Sequence, residues 1–114
     1  VGENGALTDL GDAILLHLPG EALIRWQLLA QRMAEAAGRG ASLDIPAEAL
    51  SRPEEAPRAA GRPFLAAAAY GDCGPAYFPT AESYPRGGYE VSMAWVSPRA
   101  DPILRAALRK LLAP

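Results

Sequence analysis

Two short apolar runs constrain this chain most: "AILLHL" at 13–18, stopped by Pro19 and Gly20, and "PFLAAAAY" at 63–70, bounded by Pro63 and Gly71. Each is too short for a stable helix and almost continuously apolar, as a strand buried within a sheet is. Pro19 lacks the amide proton a ladder needs, and Gly20 accepts backbone angles other residues avoid. Upstream, "ALTDLGDAILLHL" divides at Leu10-Gly11-Asp12, predicting two short strands joined by a turn.

Between the apolar runs lies a helical pattern from Ala22 to about Ala37. Leu23, Trp26, Ala30, Met33 and Ala37 recur at three- and four-residue steps, while Arg25, Arg32, Glu35 and Arg39 take other positions. Glu35 precedes Arg39 by four residues, the favourable order for a helical ion pair, and Gly38 and Gly40 close the segment. Glu21 is placed at the start of this helix. From Arg39 to Arg62 the composition shifts to Pro, Ala, Gly and charge, with only Leu43, Ile45 and Leu50 as apolar anchors, and Pro46 could open one helical turn. The segment reads as a surface insertion. "YEVSMAWV", Tyr89 to Val96, is expected to be a further strand or extended segment. The tail "DPILRAALRKLL" predicts a helix with Asp101 as N-cap, Pro102 at its first position, and Ile103, Leu104, Ala107, Leu108 and Leu111 on one face. Arg109 and Lys110 complement the dipole at its end. The order of elements implies an α/β unit, a mixed sheet covered by helices, forming one domain or a fragment of a larger layered catalytic domain over residues 1–114.

The 114 residues carry a net charge of −2 and a pI near 5.3, with no basic stripe to neutralise phosphates, so nucleic acid is not an expected partner. The single cysteine, Cys73, excludes an internal disulfide. No apolar run approaches the roughly twenty residues that span a bilayer. The chain opens at Val1 without a methionine or leader and is expected to be the C-terminal piece of something longer, with self-association through apolar surface that the missing part would cover.

Chemistry concentrates in "YGDCGPAYFPTAESYPRGGYE", which holds all four tyrosines and the cysteine. Ligands of open α/β sheets bind beyond the carboxyl ends of strands, and "LPGE" and "GDCGPAYFPT" both follow predicted strands. If those strands are neighbours, Glu21 and the Tyr70–Thr80 loop meet at one edge. A carboxylate at a helix N-terminus is held ionised, the state a metal ligand requires, although local sequence alone favours simple capping. His17 reads as a satisfied imidazole on a half-buried strand. Cys73, between Asp72 and Gly74, has no base or cation to activate it. The glycines do not form a phosphate-cradling pattern, and Tyr70, Tyr77, Tyr84 and Tyr89 can serve as packing residues whose hydroxyls reach loop backbone.

"LPGEALIRWQLLAQ", "AAYGDCGPAYFPTAESYPRGGYE" and "VSPRADPILRAALRKLL", in this order, resemble the C-terminal part of the catalytic domain of the neutral (alkaline, non-lysosomal) ceramidases, in particular the bacterial ceramidase-like branch. The likeness covers nearly all of the chain except the Arg39–Arg62 insertion. It implies a zinc ion held by two histidines from the N-terminal part of the domain, by the glutamate of "PGE", here Glu21, and by the tyrosine of a "YxxT"-like motif, here Tyr77 of "YFPT". It also implies that the Tyr77 phenol stabilises the oxyanion formed as the N-acyl amide of a ceramide-like lipid is hydrolysed. The implied partners are that lipid and the remainder of the catalytic domain, and the implied location is secreted or periplasmic. The ligand histidines and a serine-containing segment of the family have no counterpart, and His17 occupies neither histidine position. The chain by itself is therefore expected to bind zinc weakly and to be inactive. Two other readings remain open: a ceramidase-like binding or assembly domain without its metal, and a small module whose tyrosine loop contacts a peptide or sugar. The discriminating geometry is whether the Glu21 carboxylate and the Tyr77 hydroxyl approach to about 3–4 Å, as ligands of one ion would.

Overall fold

The computed structural model describes residues 6–46, 50, 64–71 and 76–113. The first two predicted strands form as β1 (Ala6–Asp9) and β2 (Ala13–His17), an antiparallel hairpin pairing Leu7 with Leu16 and Asp9 with Ile14. Gly11 has φ of +86°, the left-handed geometry that tight hairpin turns require, and its amide donates to Asp9 Oδ1 at 2.8 Å. The second apolar run is β4 (Phe64–Ala68), parallel to β2, with Ile14 opposite Leu65 and Leu16 opposite Ala67. Strand order β1-β2-β4 gives the expected mixed sheet, with a helical crossover between its two parallel strands.

That crossover carries α1 (Ile24–Gly38), which buries Trp26, Leu29, Ala30, Met33 and Ala36. Its end follows from Gly40, at φ +67°: the Gly40 amide donates to the Ala37 carbonyl and the Ala41 amide to that of Ala36. This is the Schellman arrangement, which satisfies carbonyls left over by the last turn. Glu35 and Arg39 approach to 3.9 Å, as their spacing predicts. From the same helix, Gln31 Nε2 donates to the Leu65 carbonyl and Gln27 Oε1 accepts from the Ala67 amide, at 2.9 and 3.0 Å. Two side chains one turn apart thus occupy backbone groups on the outer edge of β4.

The C-terminal helix, α3 (Ala100–Leu112), packs against α1 and buries Leu104 and Leu108. Ile103, expected on the same face, is exposed, because the buried stripe runs through Asp101, Leu104 and Leu108 instead. Asp101 is not the N-cap: the helix begins two residues earlier than expected, at Ala100 with Arg99 in the capping place, and the Asp101 carboxylate is engaged by the Ala81 amide and Arg105. Leu50 is buried in the core, with Leu43 and Ile45 packed against it, so the anchors expected of the insertion do reach the interior. Residues 47–49 and 51–63, including the helical turn expected after Pro46, lie outside the described residues.

A second, two-stranded sheet had no sequence signal. It joins β3 (Glu21–Ala22) in parallel to β5 (Tyr77–Phe78). The strand expected at Tyr89–Val96 is corrected: Tyr89–Ser92 is a single helical turn, α2, and only Ala94 makes bridge contacts, with Ala76 and Tyr77. Gly88, at φ +112°, turns the chain into α2, whose amides at Ser92 and Met93 bond back to Gly88 and Tyr89. The segment is largely exposed, so no buried face imposes a two-residue period on it. Among the described residues no helix is long and apolar enough to cross a membrane.

Candidate functional site

Glu21 and Tyr77 are direct partners in the β3–β5 register, although they lie far apart in sequence. In-register residues of a parallel pair project to the same side, with strands about 4.8 Å apart, so the carboxylate and phenol share one face. The pairing is fixed from both flanks. The Glu21 amide donates to the Ala76 carbonyl at 2.6 Å, and the Trp26 indole donates to the Phe78 carbonyl at 2.8 Å. The Trp26 and Phe78 rings meet edge to face, 5.7 Å between centroids.

Glu21 does not open the helix as expected. α1 starts at Ile24 after Leu23, and its first turn holds no acidic residue. The ladder with β5 keeps residues 21 and 22 extended, and the Glu21 carboxylate accepts from a tyrosine rather than from helix amides. The Tyr70 hydroxyl donates to Glu21 Oε2 at 2.7 Å. That bond, followed by partial burial and the Glu21 charge, raises the Tyr70 pKa. Tyr77 is raised as well, first by burial and then by the Glu21 charge, with smaller contributions from Tyr89, Glu90 and a hydrogen bond to Glu21. The Tyr70 phenol therefore stays protonated at neutral pH and donates to the carboxylate, while Tyr77, the register partner of Glu21, shares its face. Tyr89 stands edge-on to Tyr77, 5.7 Å between centroids. Tyr84 belongs elsewhere: its hydroxyl donates to the Val96 carbonyl at 2.6 Å.

The loop that delivers these groups is tied to the first sheet. Beyond β4, the Tyr70 amide donates to the Gly20 carbonyl and the Gly71 amide to that of Leu18. A methyl group at Gly71 would sit 2.6 Å from His17 Cβ and 3.1 Å from its Cα. Neither atom is the movable end of a side chain, so Gly71→Ala is expected to destabilise the fold by about 1–3 kcal/mol, read from the urea midpoint. An unchanged midpoint would show that the two segments do not approach this closely. His17 Nε2 lies 2.9 Å from Thr8 Oγ1. Cys73, with Asp72, Gly74 and Pro75, lies outside the described residues.

The threonine of "YFPT" is structural here. Thr80 is fully buried, its hydroxyl 3.1 Å from Ser83 Oγ, and its carbonyl accepts from the Ser83 amide at the short 3₁₀ turn of Ala81–Ser83. Next to it the Ala81 amide donates to Asp101 Oδ2 at 2.6 Å. Arg105 donates to Asp101 Oδ1 at 2.5 Å and to Glu82 Oε1 at 2.9 Å, and its guanidinium lies 5.9 Å from the centre of the Trp26 ring. Burial works against the Arg105 charge, and the bonded Asp101 carboxylate more than offsets it, leaving its pKa raised. The segment carrying Tyr77 is thus held at Phe78 by α1 and at Ala81 by α3.

Among the described residues no three of His, Cys, Asp and Glu converge as a metal-holding group. Glu21 and Tyr77 offer two oxygens on one face, which fits part of a zinc shell and leaves further ligands to come from outside these residues. Compared with protein-family models, with curated proteins and with solved structures, the chain finds no match.

Proposed function

We propose that this chain contributes part of the active site of a zinc-dependent amide hydrolase of the neutral ceramidase kind, with Glu21 and Tyr77 as oxygen ligands. The observation that supports this reading is the β3–β5 register, in which Glu21 and Tyr77 are paired residues. Zinc bound there would polarise an amide carbonyl and lower the pKa of a bound water. On the chain's side, Glu21 supplies the negative charge. The Tyr77 phenol, beside Glu21 on the same face, would stabilise the oxyanion that develops when the N-acyl bond of a ceramide-like lipid is attacked. The remaining ligands come, on this reading, from histidines in the rest of a parent catalytic domain. Exposure of Trp95, Tyr89 and Met93 around β5 supports a covering partner of that sort.

In the full-length protein, Glu21→Ala is expected to abolish stoichiometric zinc after dialysis, measured by elemental analysis, and to abolish cleavage of an N-acyl sphingoid base. Tyr77→Phe is expected to lower both the metal content and the rate. Zinc retained at wild-type stoichiometry in Glu21→Ala would overturn the proposal. A second reading, a lipid-binding module without metal, draws on the tyrosine hydroxyl already engaging the carboxylate. It predicts a full-length protein purified free of zinc that binds the N-acyl lipid without cleaving it.

A further inference from the structure

Only two described residues other than glycine have positive φ, Tyr70 at +58° and Ala76 at +53°, and both touch Glu21. The Ala76 carbonyl accepts the Glu21 amide, and the Tyr70 hydroxyl binds the Glu21 carboxylate. Left-handed backbone is unfavourable for a residue with a Cβ, more so for a bulky one, and such conformations persist where the surroundings over-determine them. At Tyr70 the surroundings are identifiable. Its amide is fixed to the Gly20 carbonyl at 2.8 Å and the next amide, Gly71, to Leu18 at 2.9 Å. Glycine would meet the backbone requirement at Tyr70 with less strain. What glycine would lack is the phenol. The ring is itself exposed, at 57%, so packing does not explain its presence either.

Resting on the zinc reading above, we propose that Tyr70 is a positioning residue that holds the Glu21 carboxylate in the orientation a metal ion needs. Its hydroxyl occupies Oε2 from the side of the first sheet, while Tyr77 approaches across β3–β5. Glu21 then presents its free lone pairs in one direction instead of rotating about its side-chain bonds. Hydrogen bonds from outside the ligand shell commonly orient ligating carboxylates in this way, and losing one lowers metal affinity about 10- to 100-fold. The structure thus separates two demands at one position: the backbone asks for glycine and the carboxylate asks for a phenol.

The test uses the full-length protein, zinc alone as probe, and four proteins compared by chelator competition and thermal unfolding of the metal-free form: wild type, Tyr70→Phe, Tyr70→Gly and Glu21→Ala. Tyr70→Phe keeps ring and backbone and is expected to weaken zinc binding about tenfold or more with an unchanged metal-free midpoint. Tyr70→Gly, free of the φ strain, is expected to weaken zinc equally while unfolding at the wild-type temperature or above. Loss of zinc in Glu21→Ala together with wild-type affinity in Tyr70→Phe would overturn the role of Tyr70 and leave the zinc reading standing. Zinc kept by Glu21→Ala would overturn the zinc reading itself, and the Tyr70 role with it. A Tyr70→Phe protein whose affinity and metal-free midpoint fall together would make the hydroxyl a contributor to folding, and would likewise overturn the proposal.

Discussion

Asp101→Ala is expected to lower the stability of the chain by about 3 kcal/mol, at the low end of what breaking one side of a buried ion pair costs. Asp101 is 4% exposed, and its two oxygens serve three donors: the Ala81 amide and two nitrogens of Arg105. Removing it leaves a buried amide without an acceptor and a largely buried guanidinium with Glu82 as its remaining acidic partner. A domain of this size has only about 5–15 kcal/mol in hand, so the loss is a large fraction of the whole. Asp101→Asn, which keeps an acceptor for Ala81, should lose less. Urea unfolding monitored by tryptophan fluorescence checks both variants, and a change below about 1 kcal/mol for alanine would mean that the network is solvated rather than buried.

Trp26→Ala is expected to cost about 3–5 kcal/mol, since the ring has no exposed surface and its removal opens a cavity between α1 and β5. It also deprives the Phe78 carbonyl of its donor. Trp26→Phe keeps much of the volume and loses the hydrogen bond, isolating that contribution at about 1 kcal/mol. Because Arg105 lies over the Trp26 ring, the Trp26 and Asp101 substitutions share a partner. Their double mutant should be less destabilised than the sum of the singles, by roughly 0.5–1 kcal/mol. Strict additivity, measured by the same unfolding curves, would show that α1 and α3 grip the Tyr77 segment independently.

The elements legible in the sequence were those with enough consecutive residues to display a period. "AILLH" and "FLAAA" are apolar but for His17, with β2 central in the sheet and β4 covered at its edge by α1, and α1 and α3 show their buried stripes over three to four turns. Two-residue strands such as β3 and β5 are below the length at which alternation can be seen, so neither they nor their pairing was legible. Glu21 looked like the start of a helix because Leu23 fits the helical stripe. Only the Ala76 carbonyl, distant in sequence, shows that the backbone there is extended. The Glu21–Tyr77 juxtaposition was expected from the resemblance and from strand ends meeting at one edge. The role of Tyr70 was hidden for a different reason: a positive φ at a tyrosine leaves no mark in composition, and its acceptor lies 49 residues away. Tyr89 misled in the opposite sense, since an aromatic followed by Val and Met suggests a strand, whereas Gly88 turns the chain into a helical turn.

The glutamines that α1 lends to β4 make the three-stranded sheet one-sided. A strand approaching from outside needs the Leu65 carbonyl and the Ala67 amide to register against β4, and both are already taken. At the opposite margin, β1 pairs only with β2 among the described strands, and among the described residues no side chain plugs its outward-facing amides and carbonyls in this way. Any lateral growth of this sheet, whether by further chain or by misassembly of copies, is therefore directed to the hairpin side, away from the helix that supports the tyrosine cluster.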